Sequence, residues 1–262
     1  MSDCVFELSH VSFAYAQQPA LDDLSLRIRR GERVALLGAN GSGKSTLLRL
    51  LDALYFPSHG EFKAFGEAIS EAALADDEVN FAFRRRVGLV FQNPEVQIFN
   101  PTVFDEVAFG PLQLGWPSDE ILRRVDAVLA RLAISHLKQR AALRLSGGEK
   151  KRVALASILV IDPEVLLLDE PTAALDPHSQ GEVVRFLSES WRTGRTIVTA
   201  THDLDIVDDI ADYVYVLADG KVAGSGTPAD VLADRALLQR THLAHAPGQA
   251  HQLPLADARE AR

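Results

Sequence analysis

The 262-residue chain is 47% hydrophobic and 24% charged, enough apolar material for a substantial core, and its length suits one large domain with a smaller lobe better than two full domains. A formal net charge of −9 argues against a general electrostatic grip on nucleic acid, leaving only the local basic clusters Arg84-Arg85-Arg86 and Lys150-Lys151-Arg152. The single cysteine, Cys4, excludes an internal disulfide or a cysteine-ligated zinc site and points to a reducing compartment.

The start, "MSDCVFELSH", lacks the charged-then-apolar pattern of a signal peptide. The longest apolar run, "VALASILVI" at 153–161, falls short of the roughly 20 residues a spanning helix needs. The expectation is a chain that neither spans a membrane nor carries its own export signal.

Residues 5–37 read as strands: "VFELSHVSFAY" alternates apolar and polar residues, and "LSLRI" and "RVALLG" flank the turn "RRGE". The last of these is almost wholly apolar, as a buried parallel strand should be. "GKSTLLRLLDALYF" has helical periodicity and is closed by the turn "PSHG" and a short strand, "EFKAFG". The strand "VGLVF", 87–91, leads into "QNPEVQIFNPTVFDEVAFG", 92–110, where two Asn-Pro breaks frame Ile98, Phe99, Val103, Phe104, Val107 and Phe109. This reads as an apolar, proline-punctuated surface segment. From Ser118 a helical pattern begins, with Ser118 as the expected N-cap and Asp119 and Glu120 in the first turn. Helix "EKKRVALASILVI", strand "VLLLD", helix "SQGEVVRFLSES", strand "TIVTATH", a helix and "YVYVL" then alternate. That order implies an α/β core with a parallel sheet, interrupted by a helical insertion at about 92–160.

The strongest chemical signal is "GANGSGKS", Gly38-Ala39-Asn40-Gly41-Ser42-Gly43-Lys44-Ser45, set between a predicted strand and a predicted helix. Its glycines let backbone N–H groups turn inward around phosphate oxygens, and the helix that follows adds its positive end. Lys44 is placed to reach the β- and γ-phosphates and Ser45 to bind Mg²⁺. In "VLLLDEP" an apolar strand ends in Asp169 and Glu170, just where ligands bind in doubly wound sheets. Asp169 suits Mg²⁺ and Glu170 suits general-base activation of water. Both acids could instead cap the next helix. "LSGGEKKR", 145–152, offers a second anion-receptive helix start at Ser146, Gly147 and Gly148, which by itself could be a plain N-cap and turn.

Taken together, the phosphate loop, Gln92, "LSGGE", "LLLDEP", "AALD" (Ala173 to Asp176) and His202 stand in the order seen in ABC transporter ATPase subunits, which residues 3–230 resemble. Tyr15 stands where that family places an aromatic against adenine. The resemblance implies a P-loop ABC ATPase core with an antiparallel β subdomain and a helical signature lobe. It implies ATP and Mg²⁺ held by Tyr15, Gly38 to Thr46, Gln92 and Asp169, with Glu170, His202 and Gln92 as catalytic residues. It further implies a head-to-tail dimer in which Ser146, Gly147, Gly148 and Asp176 act on the partner's ATP.

"FQNPEVQIFNPTVFDEVAFGPLQLG" is similar to the energy-coupling-factor group of importers, including cobalt and nickel transporters, with Val96 departing from a position where an acid often stands. The resemblance implies an integral-membrane coupling subunit docking near residues 92–110, a substrate-specific membrane subunit, and a peripheral position on the cytoplasmic face of the membrane. Cargo is read as cobalt or nickel, or alternatively a vitamin; the ATPase dimer is either a homodimer or a pair with a related ATPase. A soluble ABC-type ATPase of DNA repair is the more distant reading, but no heptads run between Ser45 and Leu145 and no basic footprint is present. The ATPase domain is expected over 3–235 and a tail over 236–262, whose His242, His245 and His251 could bind a divalent metal loosely.

Overall fold

The computed structural model describes residues 3–190 and 194–244. Strands β1 (Cys4–Tyr15), β2 (Gln18–Arg29), β4 (His59–Ala64) and β5 (Glu67–Ala68) form an antiparallel sheet in the order β2-β1-β4-β5. Strands β3 (Arg33–Leu37), β6 (Val87–Val90), β7 (Val165–Asp169), β8 (Thr196–Thr201), β9 (Tyr213–Ala218) and β10 (Lys221–Gly226) form a second sheet ordered β10-β9-β3-β8-β7-β6. Its pairings are parallel except for β10 against β9. The fold is therefore α/β with a separate antiparallel sheet, as expected.

One core lies between the sheets and around helix α1 (Lys44–Leu51), where Phe6 and Phe62 pack with ring centroids 5.9 Å apart. Complete burial of each such ring contributes roughly 1.5–3 kcal/mol. A second core joins the main sheet to helices α3 (Val103–Gln113), α4 (Ser118–Arg131), α5 (Gly147–Leu159) and α6 (Pro177–Ser190). Register decides where chemistry gathers. Leu37 pairs with Thr201 and Asp169 with Ala200, so the carboxyl ends of β3, β7 and β8 lie level and deliver Gly38, Glu170 and His202 to one edge.

The apolar residues of 98–109 divide. Ile98, Val103 and Val107 are buried, whereas Phe99 is 62% exposed and Phe109 38%. The reason is helix α3: Thr102 caps it by accepting from Asp105 N at 3.1 Å, and its i, i+4 pair Val103 and Val107 faces the core. Pro111 falls in the last turn, where it ends the helix instead of breaking it.

Helix α2 (Asp77–Arg86) leaves no apolar period in the sequence, because only Phe83 of it is buried. Asp76 caps it by accepting from Glu78 N at 2.9 Å, and its arginines act internally: Arg84 reaches the carbonyl of Asp52, and Arg86 meets Glu164 at 2.7 Å. Helix α4 begins at Ser118, but Pro117 holds the cap position without a side-chain bond, so the expected Ser118 cap is corrected. The helix after the phosphate loop stops at Leu51, short of Phe56, and Ala53 turns left-handed at φ 50°.

The first residues of the segment expected as a tail, 236–244, pack against the domain. Helices α8 (Pro228–Ala233) and α9 (Arg235–Arg240) pack on the main sheet, with Val231, Leu237, Leu238 and Thr241 buried. Gly224 of β10 makes this possible, since a Cβ there would lie 2.8 Å from Leu237 Cδ2. Of the three tail histidines, His242 belongs to this packed end, while His245 and His251 lie outside the described residues.

Candidate active site

The loop from β3 to α1 is shaped by its glycines. A Cβ on Gly38 would stand 2.3 Å from Ser42 Oγ and 2.6 Å from the Leu217 carbonyl, and Gly43 adopts φ 102° with the Ala20 carbonyl 2.7 Å from where its Cβ would be. Only glycine fits both positions. Lys44, 6% exposed, folds back so that Nζ donates to the carbonyls of Gly38 at 2.7 Å and Ala39 at 3.1 Å. Burial pushes its ammonium below the ordinary lysine range, with Glu170 and Asp169 opposing that shift. Ser42 Oγ is buried without a hydrogen-bond partner among the described residues. A glycine-shaped loop with a buried lysine and a buried, unpartnered hydroxyl is built to receive an anion with several oxygens.

That loop floors a cleft of about 550 Å³ lined by Tyr15, Asn40, Gly41, Ser42, Gly43, Lys44, Ser45, Thr46, Gln92 and Glu170. Tyr15 stands on its rim at the end of β1. Its hydroxyl lies 3.2 Å from Thr46 Oγ1, and its ring meets Phe13 and Tyr55 edge-on at 5.1 and 5.6 Å.

Asp169, 5% exposed, accepts a 3.0 Å hydrogen bond from Ser45 Oγ. Burial raises its pKa, with the Ser45 bond opposing and the neighbouring Glu170 reinforcing the rise. Glu170 follows in a left-handed conformation at φ 47°, its N–H donating to the Ala200 carbonyl at 2.9 Å. Its carboxylate accepts from His202 Nδ1 at 2.8 Å and Thr201 Oγ1 at 3.3 Å, and lies 3.9 Å from Lys44 Nζ. Glu170 is buried while the His202 side chain is half exposed, so His202 lies between the carboxylate and solvent.

The remaining expected residues lie in a second cluster. Ser146 caps α5 in a reciprocal box: its Oγ accepts from Glu149 N at 3.3 Å, and its N–H donates to Glu149 Oε2 at 2.7 Å. Those Ser146 contacts hold the Glu149 carboxyl below its usual range. Gly147 faces open space, and a Cβ on Gly148 would lie 3.3 Å from Ser179 Oγ, which donates to Asp176 Oδ2 at 2.6 Å. None of Ser146, Gly147, Gly148 or Asp176 lines the phosphate-loop cleft. Gln92 lines both that cleft and a neighbouring one of about 320 Å³ shared with Gly147 and Lys151.

Three residues of this site were missed from sequence. Thr201, inside "TIVTATH", supplies the second donor to Glu170. Gln97 accepts from Phe91 N at 3.2 Å and donates to the Ala154 carbonyl at 2.8 Å, tying the strand end before Gln92 to α5. Lys151 donates to three carbonyls of the Glu170 loop. Among the described residues no cluster of three or more His, Cys, Asp or Glu side chains could hold a metal, and no helix is long and apolar enough to cross a membrane.

A glycine-built phosphate loop after β3, two buried carboxylates at the end of β7 and a histidine beyond β8, the strand between them, define a P-loop nucleoside triphosphatase. The chain belongs to the ABC transporter family, whose model matches residues 21–173, and it is an ATP-binding ATPase coupled to transport. It is 57% identical over 241 residues to the nickel import ATP-binding protein NikO of Rhodobacter capsulatus, covering 91% of this chain and 95% of that one. It is 42% identical over 240 residues to the energy-coupling factor transporter ATP-binding protein EcfA of Methanothermobacter thermautotrophicus, covering 91% and 76%. Among solved structures it resembles cbiO1 of Clostridium perfringens, part of the ABC transporter complex cbiONQ (TM-score 0.79, 38% identity, 92% and 96% covered). It also resembles the dimeric ATP-binding cassette MJ0796 bound to ADP and Pi (TM-score 0.76, 28% identity, 85% and 98% covered).

Proposed function

We propose that this ATPase powers a membrane importer of the energy-coupling-factor type and that its cargo is nickel or cobalt. The observation that carries the cargo is the 57% identity to a nickel import ATP-binding protein over nearly the full length of both chains. The exposed Phe99 and Phe109, whose rings meet edge-on at 5.0 Å, support docking of a membrane coupling subunit at 92–110. A substrate-specific membrane subunit completes the importer, with the ATPase peripheral on its cytoplasmic face. Residues 3–244 form the ATPase domain in this reading, with about 92–160 as its helical lobe.

In the ATPase cycle, Lys44, Ser42 and the amides from Ala39 to Thr46 hold the β- and γ-phosphates, and Tyr15 packs against the adenine. The hard oxygen donors Ser45 Oγ and the Asp169 carboxylate, 3.0 Å apart, fit Mg²⁺, with Gln92 completing the set. When bound, Mg²⁺ supplies positive charge to the phosphate oxygens. Glu170 takes the proton of the attacking water, and His202 orients the carboxylate. Ser146, Gly147, Gly148 and Asp176 lie outside the cleft because they serve the ATP of a second copy, in a head-to-tail dimer of this chain or of this chain with a related ATPase. Vitamin uptake by an importer of the same type is the second reading; the likeness to EcfA supports the importer type and names no cargo.

Uptake decides between them. The chain purified with its native membrane subunits and placed in vesicles is expected to accumulate nickel or cobalt only with ATP. Uptake of a vitamin and of neither metal would sink the metal reading.

A further inference from the structure

The basic cluster Lys150-Lys151-Arg152 looks like a solvated patch, yet its three members do different things. Lys150 meets the exposed Glu95 at 2.6 Å, and Arg152 pairs with Glu182 at 2.7 Å. Lys151 turns inward from α5, and its Nζ donates to the main-chain carbonyls of Glu170 at 3.1 Å, Pro171 at 3.4 Å and Ala173 at 2.5 Å. Three donors on one ammonium thus gather three carbonyls of a single turn, and a lysine carries three. Burial lowers the pKa of this ammonium, and the charge of Glu170 opposes that shift.

The turn needs holding. Glu170 and Ala174 both have positive φ, at 47° and 59°, a conformation that costs a residue with a Cβ of order 1 kcal/mol or more. Successive carbonyls brought toward one another repel unless a donor lies between them. Lys151 is that donor, and it rides on the helix whose N-terminus carries Ser146, Gly147 and Gly148. A shift of α5 along its axis therefore reaches the backbone that aims the Glu170 carboxylate, without passing through the phosphate loop.

We propose that Lys151 is a positioning residue for ATP hydrolysis: it sets the backbone of Glu170 and links that carboxylate to the Ser146-Gly147-Gly148 end of α5. The proposal rests on Glu170 being the base, as argued above.

The test measures kcat and KM for ATP, with melting temperature, for the full-length protein carrying Lys151→Arg, Lys151→Gln or Lys151→Met, beside Glu170→Gln. A misplacement of about 1 Å near the reacting atoms costs up to about 10²-fold in rate. Lys151→Met is therefore expected to lower kcat by about tenfold or more with KM for ATP changed less than about twofold. Lys151→Arg, which keeps the charge and several donors, restores most of kcat, and Lys151→Gln, with one amide donor group, falls between. Wild-type kcat in Lys151→Met overturns the proposal. So does a kcat loss that follows the melting temperature and is not rescued by arginine. If Lys151→Met fails to fold, the order of the Arg and Gln variants decides instead. Wild-type turnover in Glu170→Gln would overturn the role of Glu170 itself, an outcome separate from any result at Lys151.

Discussion

His202 Nδ1 lies 2.8 Å from Glu170 Oε1, across the join between two parallel strands. Asp169 pairs with Ala200, so the residue after β7 and the residues ending β8 arrive at the same level. Thr201 fills the other oxygen of the same carboxylate, at 3.3 Å. With Lys44 Nζ 3.9 Å away, Glu170 is a buried anion restrained on several sides by groups that the sheet register places there.

Replacing Glu170 with Gln removes the proton acceptor and keeps the side chain's size. ATP binding is expected to persist, while kcat falls by about 10²-fold or more. Size-exclusion chromatography at millimolar ATP with Mg²⁺ should then show a trapped dimer. A variant that stays monomeric under those conditions would contradict the sandwich arrangement.

Ser42→Ala separates stability from nucleotide binding. Ser42 Oγ is buried and unpartnered, so losing it should leave the melting temperature of the nucleotide-free protein unchanged or slightly raised. If the hydroxyl donates to a phosphate oxygen, ATP binding weakens by about five- to tenfold, equivalent to roughly 1–1.5 kcal/mol. Titration calorimetry showing wild-type affinity would exclude that contact.

What could be read in advance follows a physical pattern. The glycines of the phosphate loop and the acids ending "VLLLD" stand out because their residue types are costly at those places unless a ligand or a special backbone needs them. Phe99 and Ile98 are adjacent and equally apolar, yet one is exposed and the other buried, because they lie in the loop before α3, where no helix or strand period assigns a face. Lys151 was hidden for the opposite reason: a lysine in a charged run reads as surface, and its partners are carbonyls, which carry no side-chain signature. Helix α2 has a single buried residue and is held by arginine contacts that periodicity does not register.

The phenylalanines of the proposed docking segment should therefore behave differently. Phe99→Asp or Phe109→Asp changes an exposed ring and should leave melting temperature and ATP binding near wild type while weakening capture of the membrane coupling subunit. Phe104 packs against the helical core with Lys138 Nζ 5.2 Å from its ring centroid, and Phe104→Asp should destabilise by about 1–3 kcal/mol. Equal loss of stability in all three variants would remove the basis for a surface role of Phe99 and Phe109.

Asp52 gives the fold a pH dependence that can be tested apart from catalysis. It caps the C-terminal end of α1, and burial raises its pKa from 3.8 to about 7, with Arg84 3.4 Å away opposing the rise. The folded value lies above the unfolded one, so between about pH 4 and 7 the native state binds more protons, and stability falls as pH rises through that window. Above pH 7 both states are ionised and the whole cost of the buried charge is present. Asp52→Asn cannot ionise and escapes this cost, while its amide oxygen can still face Arg84. Urea unfolding should show the variant gaining on the wild type by a few kcal/mol between pH 5 and pH 8. A difference that stays constant across that range would show that Asp52 keeps an ordinary carboxylate pKa in the folded protein.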